Sequence, residues 1–368
     1  MDFATDAAVP LLAQTVGPLL AWYRENGRDL PWRTEPSPYR VWVSEIMLQQ
    51  TRIGAVLPYF DRFMTAFPDI AALAAASDEQ LLKSWEGLGY YRRVRNLRAA
   101  ARLVLARFGG ELPSAREDLL TLPGIGDYTA GAIASIAFGR PEPAVDGNVM
   151  RVTARLLDCH ADVTRPALRE TVRRQWAQVW PSSEAGMFTQ ALMELGEVRC
   201  LPHGTPVCQQ CPCRDICRSR AAGTALELPY RAAAKERPVE ERTFLLLVSG
   251  GKIALCQRPE NGLLGGMWEF PSAPGLLDAA GAARLLRSWG AVHAVPVPVG
   301  TARHLFTHRE WRMTGYLAVL PDRTGDWVWG TPQDLKERYA LPAACHFFRD
   351  RLAAFLAEPE QQSCNPGE

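Results

Sequence analysis

Between Leu122 and Val149 the chain reads LPGIGDYTAG and then, after an apolar helical stretch at 130–138, VDGNV. No other stretch leaves the backbone so few choices. Pro123 stops one helix, Gly124 and Gly126 permit a tight turn, and a new helix is predicted from Asp127 to residue 138. The outward N–H groups of such a turn, with the positive end of the following helix dipole, suit a phosphate. Asp146 follows where the connecting helix has ended. A phosphate anchor feeding a carboxylate places an acid beside a nucleic-acid backbone.

A second carboxylate lies in VWVSEIMLQQ. Glu45 sits there among Val41, Trp42, Val43, Ile46 and Met47. A glutamate in so apolar a helix is paired with an arginine such as Arg33 or Arg40, faces solvent, or is buried as a general acid. Desolvation would serve the last role by keeping the carboxyl protonated near neutrality. Asp146 has two readings as well. It can be the N-cap of a helix at 147–158, or an ionised partner facing a sugar on which positive charge develops.

LPGIGDYTAG, VDGNV, WVSEIMLQQT at 42–51, GLGYYRR at 87–93, FTQALMELG at 188–196 and a cysteine cluster at 200–217 occur in one order. Together they resemble the helix–hairpin–helix DNA glycosylases of the endonuclease III superfamily, and within it the MutY-type adenine DNA glycosylases. The resemblance is dense over 15–220 and looser over 240–350. It implies that Glu45 protonates N7 of adenine. It also implies that Asp146 stabilises the sugar cation, forming a transient covalent adduct before water attacks. Asn148 would orient the aspartate or the sugar, and Tyr128 would offer its hydroxyl. Bifunctional members carry a strand-cleaving lysine at the Tyr128 position, and none of the four lysines here lies in the hairpin. The implied chemistry therefore stops at base removal.

The same resemblance assigns Gln50 and Tyr90 to wedging into the duplex, with Gln49 beside them and Gly124, Gly126 and Thr129 at the phosphate. Trp32, Arg33, Gln190 and Glu194 would line the adenine pocket. In RHLFTHREW at 303–311, Phe306, Thr307 and His308 would meet 8-oxoguanine in the opposite strand. The implied partner is duplex DNA with adenine opposite 8-oxoguanine or guanine, engaged by a monomer. The rival readings are a non-catalytic DNA-binding protein, which would not need both carboxylates, and an endonuclease III-like enzyme for oxidised pyrimidines.

Cys200, Cys208, Cys211 and Cys217 stand as C-x7-C-x2-C-x5-C. Four thiolates at short spacing mean a metal site, and the spacing alone leaves zinc and an iron–sulfur cluster open. The resemblance implies [4Fe–4S]. This chain has one more residue in the first gap than the usual family spacing. A spare thiol, Cys213, lies between the ligands.

The chain thus divides into an all-α catalytic domain at 1–225 with its cluster loop at 200–217, and a polar linker at 226–241. An α+β Nudix-like domain follows at 242–357, then a disordered tail at 358–368. Helices are predicted at 11–23, 77–85, 92–107, 114–121, 147–158, 166–180 and 186–198, with 41–60 as one helix interrupted at Pro58. Strands are predicted at 243–250, 252–258 and 311–320, with helices at 278–289 and 343–357. GGMWEFP at 265–271 resembles a Nudix core, but the segment after it carries one acid, Asp278, where a pyrophosphatase needs a glutamate-rich helix.

The 41 basic and 40 acidic residues nearly cancel. Local charge says more: Arg92, Arg93, Arg95, Arg98, Arg102 and Arg107 share one acid-free segment, as a solvated helix face or a phosphate-binding face. No run of apolar residues is long enough to span a membrane, and MDFATDAAVPLL lacks a basic leader region. Clustered cysteines do not suit a secreted disulfide scaffold. A cytoplasmic, nucleoid-associated setting is expected.

Overall fold

Caps and prolines set most helix boundaries in the first half of the chain. The computed structural model describes residues 8–232 and 236–357. It runs α1 (Ala8–Asn26), α2 (Pro31–Thr34), α3 (Pro38–Leu48), α4 (Ile53–Ala66), α5 (Ile70–Ala75), α6 (Asp78–Ser84) and α7 (Arg92–Phe108). Then come α8 (Arg116–Leu119), α9 (Asp127–Phe138), α10 (Gly147–Leu157), α11 (Pro166–Ala177), α12 (Ala185–Val198) and α13 (Arg218–Ala222). Ser37 caps α3 through Arg40 N–H, and Pro31, Pro38 and Pro166 stand in the first turns of α2, α3 and α11.

The segment at 41–60 is a correction to the reading from sequence. It breaks at 49–52, where Gln50 turns left-handed at φ 58°, while Pro58 lies inside α4. Burial of Val56, Phe60 and Phe63 outweighs the hydrogen bond that Pro58 cannot donate. One core of the helical unit joins α1, α10, α11 and α12, where Trp180 meets Trp176 and Phe188 edge-on and Trp176 meets Phe188 at a tilt.

The second unit is built on a seven-stranded sheet of order β3-β2-β1-β6-β5, with β4 added to β1 and β7 to β2. Its strands are β1 (Val239–Ser249), β2 (Lys252–Gln257), β3 (Trp268–Glu269), β4 (Ser272–Pro274), β5 (Val297–Leu305), β6 (Glu310–Val319) and β7 (Val328–Gly330). β1 and β6 are parallel and the other pairs antiparallel. Phe244, Leu246 and Val248 of β1 pack with Phe348 and Leu352 of α15 (His346–Ala357). Leu245 and Leu247 pack with Ala282 and Leu286 of α14 (Ala279–Ser288). That two-sided burial explains the unbroken apolar run of a central strand.

β1 starts at Val239, inside the segment read as linker, and pairs with Glu310 from that residue on. Ser77–Arg92 gathers with the second unit, although it lies between α5 and the body of α7 in sequence. Lys83 Nζ donates to the Leu335 carbonyl at 3.0 Å, and Leu341 N–H donates to Glu86 Oε1 at 2.9 Å. Asp278, the lone acid after the Nudix-like core, caps α14 by accepting from Gly281 N–H at 2.7 Å. The tail expected at 358–368 lies outside the described residues.

Candidate active site

The hairpin turn depends on one glycine rather than two. Gly124 has φ 82°, and a Cβ there would stand 2.8 Å from the Cβ of Asn96. Gly126 is extended, the N-cap of α9. Asp127 opens α9 and pairs with Arg116. Thr129 is buried with its hydroxyl accepting from Gln49 Nε2 at 3.2 Å, so its side chain does not face outward as a phosphate contact requires. Further along α9, Gly131 lies so close to the Pro143 carbonyl that no Cβ fits, which brings the irregular segment before Asp146 against the helix.

α3 and α9 pack together and bring the carboxylates into one cavity of about 90 Å³. Glu45 is 4% exposed and accepts a hydrogen bond from the Tyr128 hydroxyl at 2.5 Å. Neither arginine considered from sequence is paired with it. Arg33 binds Glu194, and Arg40 donates to the Pro31 carbonyl. Burial pushes the Glu45 carboxyl up to about 7; the Tyr128 hydrogen bond opposes this and the nearby Asp146 charge adds to it. The Tyr128 phenol is held well above its usual range by burial and by the two carboxylates, so it stays a donor.

Asp146 takes the first of the roles considered for it and stands where the second would be exercised. It is the N-cap of α10, accepting from Val149 N–H at 2.7 Å, and it also lines the cavity. Burial raises its carboxyl above the ordinary aspartate value, against the pull of Val149 N–H, the Arg151 charge and Asn148 N–H. Its side of the cavity is thus furnished with donors for the ionised form, which Glu45 largely lacks. The two carboxyl groups thus share one cavity in contrasting hydrogen-bonding environments. Asn148 lines the same cavity, and its side-chain oxygen accepts from Arg151 at 2.9 Å. Arg151 also donates to the carbonyls of Gly196 and Cys200, tying the start of α10 to the cysteine loop.

The cavity wall opposite is rigid and polar. Glu194 is fully buried and receives Arg33 Nη2 at 2.9 Å and both Arg28 Nε and Nη2. Gln190 Oε1 accepts from the Tyr23 hydroxyl at 3.1 Å, and Trp32 is held edge-on to Phe60. Nothing in the sequence marks Arg28 and Tyr23 as site residues. Tyr23 lies in the last turns of α1 and Arg28 in the loop after it, and a polar tip at such a position is a signal that any surface residue shares.

Gln50 is exposed with φ 58°, and Tyr90, in the second unit, is 46% exposed with φ 49°. Non-glycine residues held left-handed at exposed turns mark sites where the surroundings dictate the conformation. In the second unit β5 and β6 form a hairpin whose turn is closed by Phe306 N–H to Arg309 O at 2.9 Å. Thr307 and His308 are exposed at its tip, Phe306 packs on Trp311, and the Thr307 and Tyr90 hydroxyls lie 2.5 Å apart. Three of the six arginines of α7 are spent on backbone. Arg93, Arg98 and Arg102 all donate to carbonyls, so these three are not free for phosphate, whereas Arg92 is exposed.

Cys200, Cys208, Cys211 and Cys217 are free of disulfides, and Cys200, Cys211 and Cys217 pack against the edge of the helical core. Among the described residues no group of three or more His, Cys, Asp or Glu stands in ion-binding geometry. The donor set nonetheless fits a cluster. Cys208 feels the charge of Cys211 and Cys217, and Cys200 that of Cys211. The buried guanidinium of Arg155 reaches Cys200 Sγ at 3.2 Å, a counter-charge for an anionic thiolate assembly. Cys213 is fully buried beside Cys211.

Residues 43–178 match the family described as HhH-GPD superfamily base excision DNA repair protein, and residues 242–349 match the NUDIX domain. The adenine DNA glycosylase of Homo sapiens is 36% identical over 84% of this chain and 67% of its own length. That of Rattus norvegicus is 35% identical over 83% and 70%. Among solved structures, a thermostable thymine-DNA glycosylase is 27% identical and superposes with a TM-score of 0.52, over 60% of this chain and 99% of its own.

Proposed function

The chain belongs to the adenine DNA glycosylase family, and we propose that it removes adenine standing opposite 8-oxoguanine or guanine in duplex DNA and goes no further. It is a hydrolase of base excision repair that acts on DNA. The observation that carries the finer reading is the buried group of Glu45, Tyr128 and Asp146 in one cavity.

Glu45 keeps a proton near neutral pH and delivers it to N7 of an adenine turned out of the stack. The C1′–N9 bonding pair then passes to the base, which leaves neutral. Asp146 faces the cation left on the deoxyribose, a charge complement prepared before the bond breaks. Water adds at C1′, and its proton restores Glu45. Tyr128 orients the acid, and Asn148 with Arg151 fixes the first turn of α10 under Asp146. Trp32 supplies an apolar face for the base, while Gln190 and the Arg28–Arg33–Glu194 set supply a fixed polar edge. Strand cleavage needs an amine; none of the four lysines lies in the hairpin sequence, and Lys83, Lys252 and Lys336 lie outside this cavity.

Gln49, Gln50 and Tyr90 support the gap that the base leaves, with Gly124, Gly126 and the turn between them at the phosphate. Phe306, Thr307 and His308 read the opposite base, where 8-oxoguanine differs from guanine by an oxygen at C8 and a hydrogen at N7. Cys200, Cys208, Cys211 and Cys217 hold a [4Fe–4S] cluster, with Cys213 left out. When bound, the cluster would cross-link its loop and offer a redox-active centre that base hydrolysis does not use. The protein works as a monomer on the cytoplasmic nucleoid.

The test is incubation with duplexes carrying adenine opposite 8-oxoguanine, guanine or thymine, with and without alkali. Breaks should appear after alkali alone, fastest for 8-oxoguanine partners. An imine trapped stoichiometrically by borohydride would overturn the monofunctional assignment.

A further inference from the structure

The turn that carries Gln49 and Gln50 lacks the residue that ordinarily closes a helix. α3 ends at Leu48, and the next left-handed position is filled by Gln50 at φ 58°, where glycine is the usual occupant. The final carbonyls of α3 therefore need partners from elsewhere. One guanidinium supplies them. Arg93 Nη1 donates to the carbonyls of Ile46 at 3.0 Å, Met47 at 2.9 Å and Gln49, while Nη2 donates to the Thr51 hydroxyl at 3.2 Å. Its charge also sits at the negative end of the α3 dipole.

We propose that Arg93 is a positioning residue for base extrusion: by clasping the end of α3 it holds the 49–51 turn in the shape that presents Gln50 to the duplex. It governs how the adenine leaves the stack, and not how its bond to the sugar is cut. The inference rests on the reading of Gln50 as the wedge. Two features set this clasp apart from an ordinary helix cap. Its contacts run past the helix end to both sides of Gln50, at Gln49 and Thr51. They also use two nitrogens of one fork, which the single ammonium of lysine cannot reproduce. Arg102, on the same helix, is the internal contrast: it donates to the Ala74 carbonyl at 2.9 Å, at the end of α5 and away from any residue assigned to DNA.

The experiment uses the full chain and a duplex with 2-aminopurine in place of the target adenine opposite 8-oxoguanine, whose fluorescence rises as the base unstacks. Arg93→Met should slow that rise by about tenfold or more, the worth of one charge-assisted hydrogen bond. Arg93→Lys, which keeps the charge and the fold, should recover only part of the loss. Arg102→Met should unstack the base at the wild-type rate even where urea unfolding shows a similar loss of stability. A wild-type rise in both Arg93 variants refutes the proposal, and equal slowing in Arg93→Met and Arg102→Met reduces Arg93 to a general structural role. Gln50→Ala separates the premise from the inference. If it too unstacks the base normally, the wedge reading fails; if it is slow while both Arg93 variants are normal, only the clasp fails.

Discussion

Replacing Glu45 by glutamine should separate stability from activity. Burial lifts the Glu45 carboxyl from 4.5 to about 7. In the unfolded chain the group ionises at its ordinary value, so within that window the unfolded state has released a proton that the folded state retains. Stability therefore falls as pH rises. The cost is absent below about 4.5, grows through the window and levels off above about 7. At about 1.4 kcal/mol per pH unit the whole cost is roughly 3 kcal/mol, of which about 2 kcal/mol arises between about pH 5.5 and 8. Glutamine has no proton to lose, and its amide oxygen still accepts from Tyr128. Glu45→Gln should therefore gain on the wild type by about 2 kcal/mol over that range, measured by urea unfolding with circular dichroism. Excision by the same variant should drop ~10²–10⁴-fold in single turnover, because an amide cannot protonate N7. Every other titrating group is shared, so the difference between the two proteins isolates Glu45. If the stability gap stays constant with pH, Glu45 does not keep its proton at neutrality, and general-acid catalysis by this residue is refuted.

Thr307→Ala with His308→Ala should leave excision opposite guanine within a few-fold of wild type while the preference for 8-oxoguanine shrinks by an amount equivalent to ~1–3 kcal/mol; an unchanged ratio of the two rates removes the hairpin tip from lesion reading. Cys200→Ser should lower the iron and sulfide bound per chain and Cys213→Ser should leave them unchanged, by elemental analysis of anaerobically purified protein. Stoichiometric zinc without sulfide would reverse the cofactor assignment. Gly124→Ala, at φ 82° and against Asn96, should cost about 1–2 kcal/mol of stability and weaken duplex binding; wild-type affinity in a salt titration would show that the turn does not hold the phosphate.

The sequence alone carried the parts of this protein whose physics is local. A glycine forced left-handed at 124, an aspartate where a helix must start at 146 and four closely spaced cysteines each announce themselves within a few residues. So does the two-domain order, because period and punctuation change together after the cysteine loop. The burial of Glu45 was visible only as a choice among three surroundings. Tertiary packing made the choice, since α3 lies against α9 and Arg33 is committed to Glu194. Arg28 and Glu194 are 166 residues apart, and Arg93 lies 47 residues from Ile46. No periodicity within a helix can report such pairs. The arginine run of α7 shows the limit most plainly. Its composition is equally that of a phosphate-binding face, and only the three-dimensional fold supplies the carbonyl ends of α3 and α5 on which Arg93, Arg98 and Arg102 are spent. A side chain's charge is written in the sequence; what neutralises it is decided by whichever distant backbone the fold brings within about 3 Å.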